Sequence, residues 1–294
     1  AVALGLDATN TGYDGAVAQG LYAGTPSQWT DLDLNQSWLD TNNGGSTIVE
    51  GLDVTGSLSI SVPNLTLRYC KVHDMSPTAN YLVDNVPWLG SGSGAGVTCE
   101  YCTFDGGLNT SKSFLGIDFT LDRCLVIGNE DGVHMTHDVL ATSGSDYGIV
   151  RECFIHSQTH DGAAGQHSDC VQIWSKGTLV IERSRLIAPQ RDQNACLQMA
   201  DASDVRVQDC YLFGGGFVYQ GSPAGTLHSW GNMVAYDSYA FGVYTPDLVS
   251  LDAAGDVWWG WEGSIPLIDT AGNPEAPSPP ASPPANGTPI PPGS

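Results

Sequence analysis

The stretch Leu65-Thr66-Leu67-Arg68-Tyr69-Cys70-Lys71-Val72 decides the fold. Two alternating apolar residues are followed by a gap of two, a small residue, a gap of one and a further apolar residue. The same order returns as Val97-Cys99-Cys102-Phe104, Phe119-Leu121-Cys124-Val126 and Gly148-Val150-Cys153-Ile155. It continues as Leu179-Ile181-Ser184-Leu186, Val205-Val207-Cys210-Leu212 and Leu227-Ser229-Asn232-Val234, with successive small positions 22 to 32 residues apart. Period-two alternation marks a strand with one buried face, and the extra residue between the runs reads as a one-residue bend. A constant strand–bend–strand unit with connections of changing length predicts a parallel β-solenoid, each unit hydrogen-bonded to its neighbours. A β-sandwich would call for evenly spaced hairpins with Asn-Gly or Asp-Gly turns, and gives no reason for a small residue to recur at one bend. In register, the small residues from Cys70 to Asn232 stack about 4.8 Å apart at an inside corner. Eight Cys could pair as four disulfides, but Cys repeating at one position of a chain with its own core reads better as buried packing.

A second strand follows the later units. Asp131–Met135, Asp169–Ile173, Ala195–Met199 and Gly215–Tyr219 align without gaps. Alternation turns Val133/Met135, Val171/Ile173, Leu197/Met199 and Phe217/Tyr219 inward and leaves His134, Gln172 and Gln198 on one outer column. Cys170 and Cys196 share that outward parity, which makes them the best candidate pair for a disulfide.

The ends differ. Residues 1–45 lack the repeat and are expected to cap or lead into the first unit, because an open end exposes unpaired strand edges. The repeat region spans 46–272, and Val257-Trp258-Trp259-Gly260-Trp261 is expected to close its last unit. Residues 273–294, dominated by Pro, Ala and Ser, read as an extended linker or tail without a core.

The 294 residues include 36 Gly and are 41% hydrophobic, which rules out wholesale disorder and a collagen-like fibre. Thirty-two acidic against 10 basic side chains give a net charge of -22, so neither nucleic acid nor an anionic membrane is an expected partner. No run approaches the roughly 20 apolar residues of a spanning helix, and Ala1–Asp7 lacks the basic start of a secretory signal. The expected location is extracellular or on a virion surface; a cleaved signal, or a virion protein that never had one, would leave the same sequence.

Glu50-Gly51-Leu52-Asp53-Val54, the run Asn64–Cys70 and His167-Ser168-Asp169-Cys170-Val171-Gln172 resemble β-helix proteins of actinobacteria and their phages, within the pectin lyase-like superfamily. That group usually reads His-Ser-Asp-Gly-Ile/Val-Gln in the last motif, where this chain has Cys170. The resemblance covers about 46–268. It implies an all-β, single-stranded right-handed parallel β-helix and the company of polysaccharide lyases, glycoside hydrolases and phage tailspikes. It does not choose among them, because activity resides in the site and not in the fold.

The densest polar constellation lies between Glu130 and Arg191. Asp131 and Asp169 occupy equivalent positions, and a stacked carboxylate pair suits glycoside hydrolysis as acid and base or nucleophile. Against this, Asp commonly accepts backbone N–H bonds where a turn enters a strand, and that reading stays open. His134, His160 and His167 are the remaining catalytic candidates, as bases, with Arg191 as a charge stabiliser and Asp161, Gln172 and Gln198 as hydroxyl binders. Trp174 is the first choice for an aromatic face to cover the C–H surface of a sugar. A lyase acting on a uronate needs a cation to neutralise the carboxylate. With three Lys in an acidic chain only Ca²⁺ would serve, which favours a neutral or weakly charged glycan. His156 and His160 have His-x-x-x-His spacing but no secured third ligand, so no metal site is assigned.

Two functions fit. One is an extracellular carbohydrate-active protein that binds and cleaves a polysaccharide along one sheet. The other is a non-catalytic phage tail or cell-surface protein that binds a glycan receptor, as a homotrimer or beside neighbouring virion proteins. A plain spacer would not need the polar column.

Overall fold

The computed structural model describes residues 5–74, 80–86, 95–136, 146–156, 168–188, 195–200, 202, 204–235, 242–244, 248 and 250–259. The chain is mostly β, with short helices at Gly12–Ala18 and Gln36–Asn42. Neither helix is long and apolar enough to cross a membrane.

Each repeat places its first strand in a nine-stranded sheet and its second in a 15-stranded sheet, both in chain order. Neighbouring strands pair in parallel with equivalent positions opposite one another: Leu67 with Cys99, Cys99 with Leu121, Val150 with Ile181, Ile181 with Val207. The alternation seen in the sequence becomes burial. Thr178–Glu182 and Asp204–Gln208 bury every second side chain, and those residues join one core running from Leu32 to Leu248.

The bend has a defined conformation. The residue before each small position has positive φ: Tyr69 (54°), Tyr101 (52°), Arg123 (54°), Glu152 (52°), Arg183 (47°), Asp209 (53°), then Gly231 and Gly255. A left-handed residue bends the chain from one sheet into the other in one step, at a cost of about 1–2 kcal/mol where a Cβ is present. Most of these side chains meet on the outside. Tyr22 stacks on Tyr69 at 5.1 Å, Tyr69 on Tyr101 at 6.0 Å, and the Arg123 guanidinium lies 5.3 Å over the Tyr101 ring. Glu152 then accepts from Arg123 at 2.9 Å and Arg183 at 3.1 Å.

The small residues meet inside, all of them fully buried. Each donates to the carbonyl three positions before its counterpart on the previous repeat: Cys124 Sγ to Cys99, Cys153 Sγ to Leu121, Ser184 Oγ to Val150, Cys210 Sγ to Ile181, Asn232 Nδ2 to Val207. Several also accept the previous counterpart's N–H, as Ser184 Oγ does from Cys153 at 3.1 Å and Asn232 Oδ1 from Cys210 at 2.9 Å. Cys, Ser and Asn share the property the column uses, a compact side chain that donates and accepts.

Asp256 is one further member. Leu251-Ala253-Asp256-Trp258 repeats the spacing, Ser229 pairs with Ala253, and Asp256 Oδ1 accepts from Asn232 N at 2.7 Å. An ionised carboxylate cannot donate, and here the hydroxyl of Ser229 donates to Asp256 Oδ2 instead.

At the N-terminal side, Ser27–Leu34 pairs in parallel with Leu52–Ile60. The helix Gln36–Asn42 inserts Leu39 into the core, its start capped by Asn35 Oδ1 accepting from Trp38 N at 2.9 Å. Gly12 opens the other helix against Thr103 and Leu125 with no room for a Cβ, and Tyr13 N donates to Thr103 Oγ1 at 2.9 Å.

Candidate functional site

The second strands divide. Leu125–Thr136 slips register twice against Thr103–Gly116, between Ile127 and Asn129 and between Asn129 and Asp131. Its later half continues a separate run of strands, Tyr81–Asp84, Asp169–Trp174, Ala195–Ala200 and Phe217–Ser222. Across these strands the register sets up two rows. One runs Tyr81, Lys112, Asp131; the other runs Leu115, His134, Gln172, Gln198, Gln220.

Strict alternation fails at one step. Cys170 and Val171 are both fully buried, as are Cys196 and Leu197, and a Cβ on Gly132 would strike Cys170 O and Ile155. The strands bend there and send two consecutive residues inward. This corrects two expectations. Cys170 and Cys196 lie inside as free thiols, with Cys196 Sγ donating to Phe213 O at 3.2 Å, and they form no disulfide. Phe217 pairs with Ala195, not Leu197, so the fourth strand sits two residues from the gapless alignment; Phe217 is half-buried outside and Gln220 extends the amide row.

The bend also brings Asp131, which alternation would bury with Val133, to the wall of a pocket of about 440 Å³. Asp131, His134, Gln172, Trp174 and Gln198 line it together with Lys112 and Glu130. Asp131 is buried to 3% exposure. Its Oδ1 accepts from Asp169 N at 3.4 Å, and its Oδ2 is 3.1 Å from Lys112 Nζ and 3.9 Å from His134 Nδ1. Burial pushes the Asp131 carboxyl up to about 6, against the pull of Lys112. Burial and the same ammonium push His134 down to about 3, so its ring is neutral across the physiological range. Among the described residues His134 Nδ1 has no hydrogen-bond partner. Its ring meets Trp174 edge-on at 5.7 Å, and Trp174 is 52% exposed at the mouth. Gln172 Nε2 donates to Gln198 Oε1, which fixes the orientation of both amides.

Asp169 is fully buried and outside the lining; it serves the site through its backbone N–H. His156 is half-buried on Phe154–His156, away from the pocket, its proton affinity lowered by burial and by Arg185. His160, Asp161, His167 and Arg191 lie outside the described residues. Lys112, Tyr81, Leu115 and Thr136 carry no expectation from the sequence, and Glu130 marks one end of the polar constellation there without a role of its own. The signal for the first was present: Lys112-Ser113-Phe114-Leu115-Gly116 is the forerunner of Asp131–Met135, concealed because Lys replaces Asp and Leu replaces His.

Among the described residues no three His, Cys, Asp or Glu side chains converge on a metal position. The pocket suits Ca²⁺ poorly, since Lys112 already holds the Asp131 oxygen that a cation would take. The chain matches no protein-family model, no curated protein and no solved structure.

Proposed function

We propose that the chain winds as a single-stranded right-handed parallel β-helix and that its pocket binds and hydrolyses an extracellular or cell-surface polysaccharide. Asp131 is the proton donor to the glycosidic oxygen, and Glu130 on the same wall is the second carboxylate that glycosidases require. Trp174 carries the apolar face of a sugar ring while Gln172 and Gln198 bind its hydroxyls. The observation that carries this proposal is the placement of a buried carboxyl, half-protonated near pH 6, in a pocket whose mouth holds an exposed Trp. A general acid works best when its pKa lies near the working pH. Elimination is less well served, because His134 binds protons too weakly for a good base.

A second reading, glycan binding without cleavage by a phage tail or cell-surface protein, draws support from Asp169 N donating to Asp131. A carboxylate engaged by backbone and Lys112 can be structural. Homotrimeric assembly or contact with other virion proteins belongs to that reading.

The two separate in one experiment. The protein is incubated with a panel of cell-wall and capsular polysaccharides, and reducing ends and the absorbance of unsaturated sugars are followed. Hydrolysis predicts reducing ends without absorbance, lost about 10²- to 10⁴-fold in Asp131→Asn. Trp174→Ala is expected to weaken binding. Glycan bound with neither product formed supports the second reading and overturns the first.

A further inference from the structure

We propose that Lys112 is the positioning residue of the pocket: its ammonium fixes Asp131 Oδ2 in place and sets the pH at which that carboxyl releases its proton. The catalytic consequence rests on Asp131 being the proton donor; the electrostatic one does not.

Among the described residues the titratable groups around the Asp131 carboxyl come from four strands: Tyr81 from Tyr81–Asp84, Lys112 from Thr103–Gly116, Glu130 and His134 from Leu125–Thr136, and Asp169 from Asp169–Trp174. Their placements differ. Oδ1 is engaged by the Asp169 backbone, whereas Oδ2 faces the two nitrogens, with Lys112 nearer at 3.1 Å and His134 at 3.9 Å. Lys112 is directly opposite Asp131 in the strand register, so the pairing is built by the backbone and not by a mobile surface side chain. The Lys112 side chain is 27% exposed and that of Asp131 4%, so the cation is the more solvent-accessible member of the pair.

Two opposing fields act on this acid. Removal from water favours the protonated form, and Glu130 adds to that. Lys112 favours the carboxylate through both its charge and its hydrogen bond. Without the ammonium the carboxyl would hold its proton to higher pH and be a weaker acid at pH 6–7. The same cation repels a proton from His134, so a single side chain lowers both titrations. Only three Lys occur in this chain of net charge -22, and one of them lines this pocket.

The test is a side-chain NMR titration of the full chain, following the Asp131 carboxyl carbon and the His134 ring in wild type, Lys112→Met, Lys112→Gln and Lys112→Arg. Both neutral variants are expected to raise the Asp131 midpoint by about one pH unit or more and to move His134 upward too, while Lys112→Arg stays close to wild type. Two neutral variants of different shape guard against one failing to fold. In any glycan-cleavage assay the alkaline limb should move by the same amount. If the Asp131 midpoint in a folded neutral variant stays within about 0.3 unit of wild type, or Lys112→Arg moves as far as Lys112→Met, the assignment is overturned. Shifted midpoints in a protein that cleaves no glycan would leave Lys112 in its role and remove the hydrolase. Cleavage that needs Asp131, with neither midpoint nor limb responding to Lys112, would do the reverse.

Discussion

Asp131 and Asp256 are both buried carboxyls whose proton affinity is raised by removal from water, yet their surroundings differ. Asp256 sits inside the column of small residues and its oxygens receive Asn232 N and the Ser229 hydroxyl. Ser229 is in turn bonded to Tyr219, whose ring stacks on Tyr244 at 5.5 Å. Asp131 has one oxygen engaged by backbone and the other turned toward a cation at a pocket. A shifted carboxyl therefore does not by itself mark a functional site. Access to a pocket and a flanking charge separate the two.

The sharpest way to break this contrast is to neutralise each acid in turn. Asp131→Asn is expected to abolish glycan turnover, whereas Asp256→Asn should leave kcat within about twofold; equal losses in a reducing-end assay would erase the distinction. Next in size is stability. Asp256→Ala strips the acceptor from Asn232 N and Ser229 and leaves a void, at a cost of about 2–4 kcal/mol in urea unfolding. A cost under about 0.5 kcal/mol would show that the column tolerates a missing member.

Smaller effects come from pH. Asp131 titrates higher in the folded chain than unfolded, so its contribution is complete below about pH 4 and is lost as pH rises through about 6. His134 titrates lower when folded, so its contribution is complete above about 6.5 and is lost as pH falls toward about 3. Between pH 4.5 and 6 the two oppose each other. Asp131→Asn should expose the His134 trend, making stability rise with pH across that interval by on the order of 2 kcal/mol. Asp256→Asn should act in the same direction, removing another loss that grows as pH rises. Parallel unfolding curves at pH 4.5, 6 and 7.5 would contradict both. The smallest effect is expected at partly exposed Glu152, where two arginines lower the carboxyl pKa against the opposing effect of burial. Glu152→Gln should cost about 0.2–1 kcal/mol and fade in salt.

How much could be read without coordinates varies along one repeat. Alternation and the small residue at the bend were legible from Leu65 to Val234, since burial of one face imposes period two and close stacking excludes large side chains. Asp256 was not legible there, because an ionised carboxylate does not fit a donor-and-acceptor column unless Ser229 supplies the missing donor. The left-handed residue at each bend was hidden too. Tyr, Arg and Glu carry no sign of positive φ, and they tolerate it here in company with stacks and ion pairs to side chains on neighbouring repeats.

His134, Gln172, Gln198 and Trp174 were placed together from parity alone, because they follow the step where the strands bend. Residues before that step went wrong: Cys170 and Cys196 were put outside, and Lys112 was not connected to Asp131. The sequence alone determined that strands would stack with like positions facing like, since period-two runs joined by a small residue recurring at one bend fit stacked repeats and not a sandwich of hairpins. Only the tertiary structure decided which acid faces a pocket and which cation meets it. Both depend on one extra inward residue per strand, an accommodation to packing between repeats that no local pattern encodes.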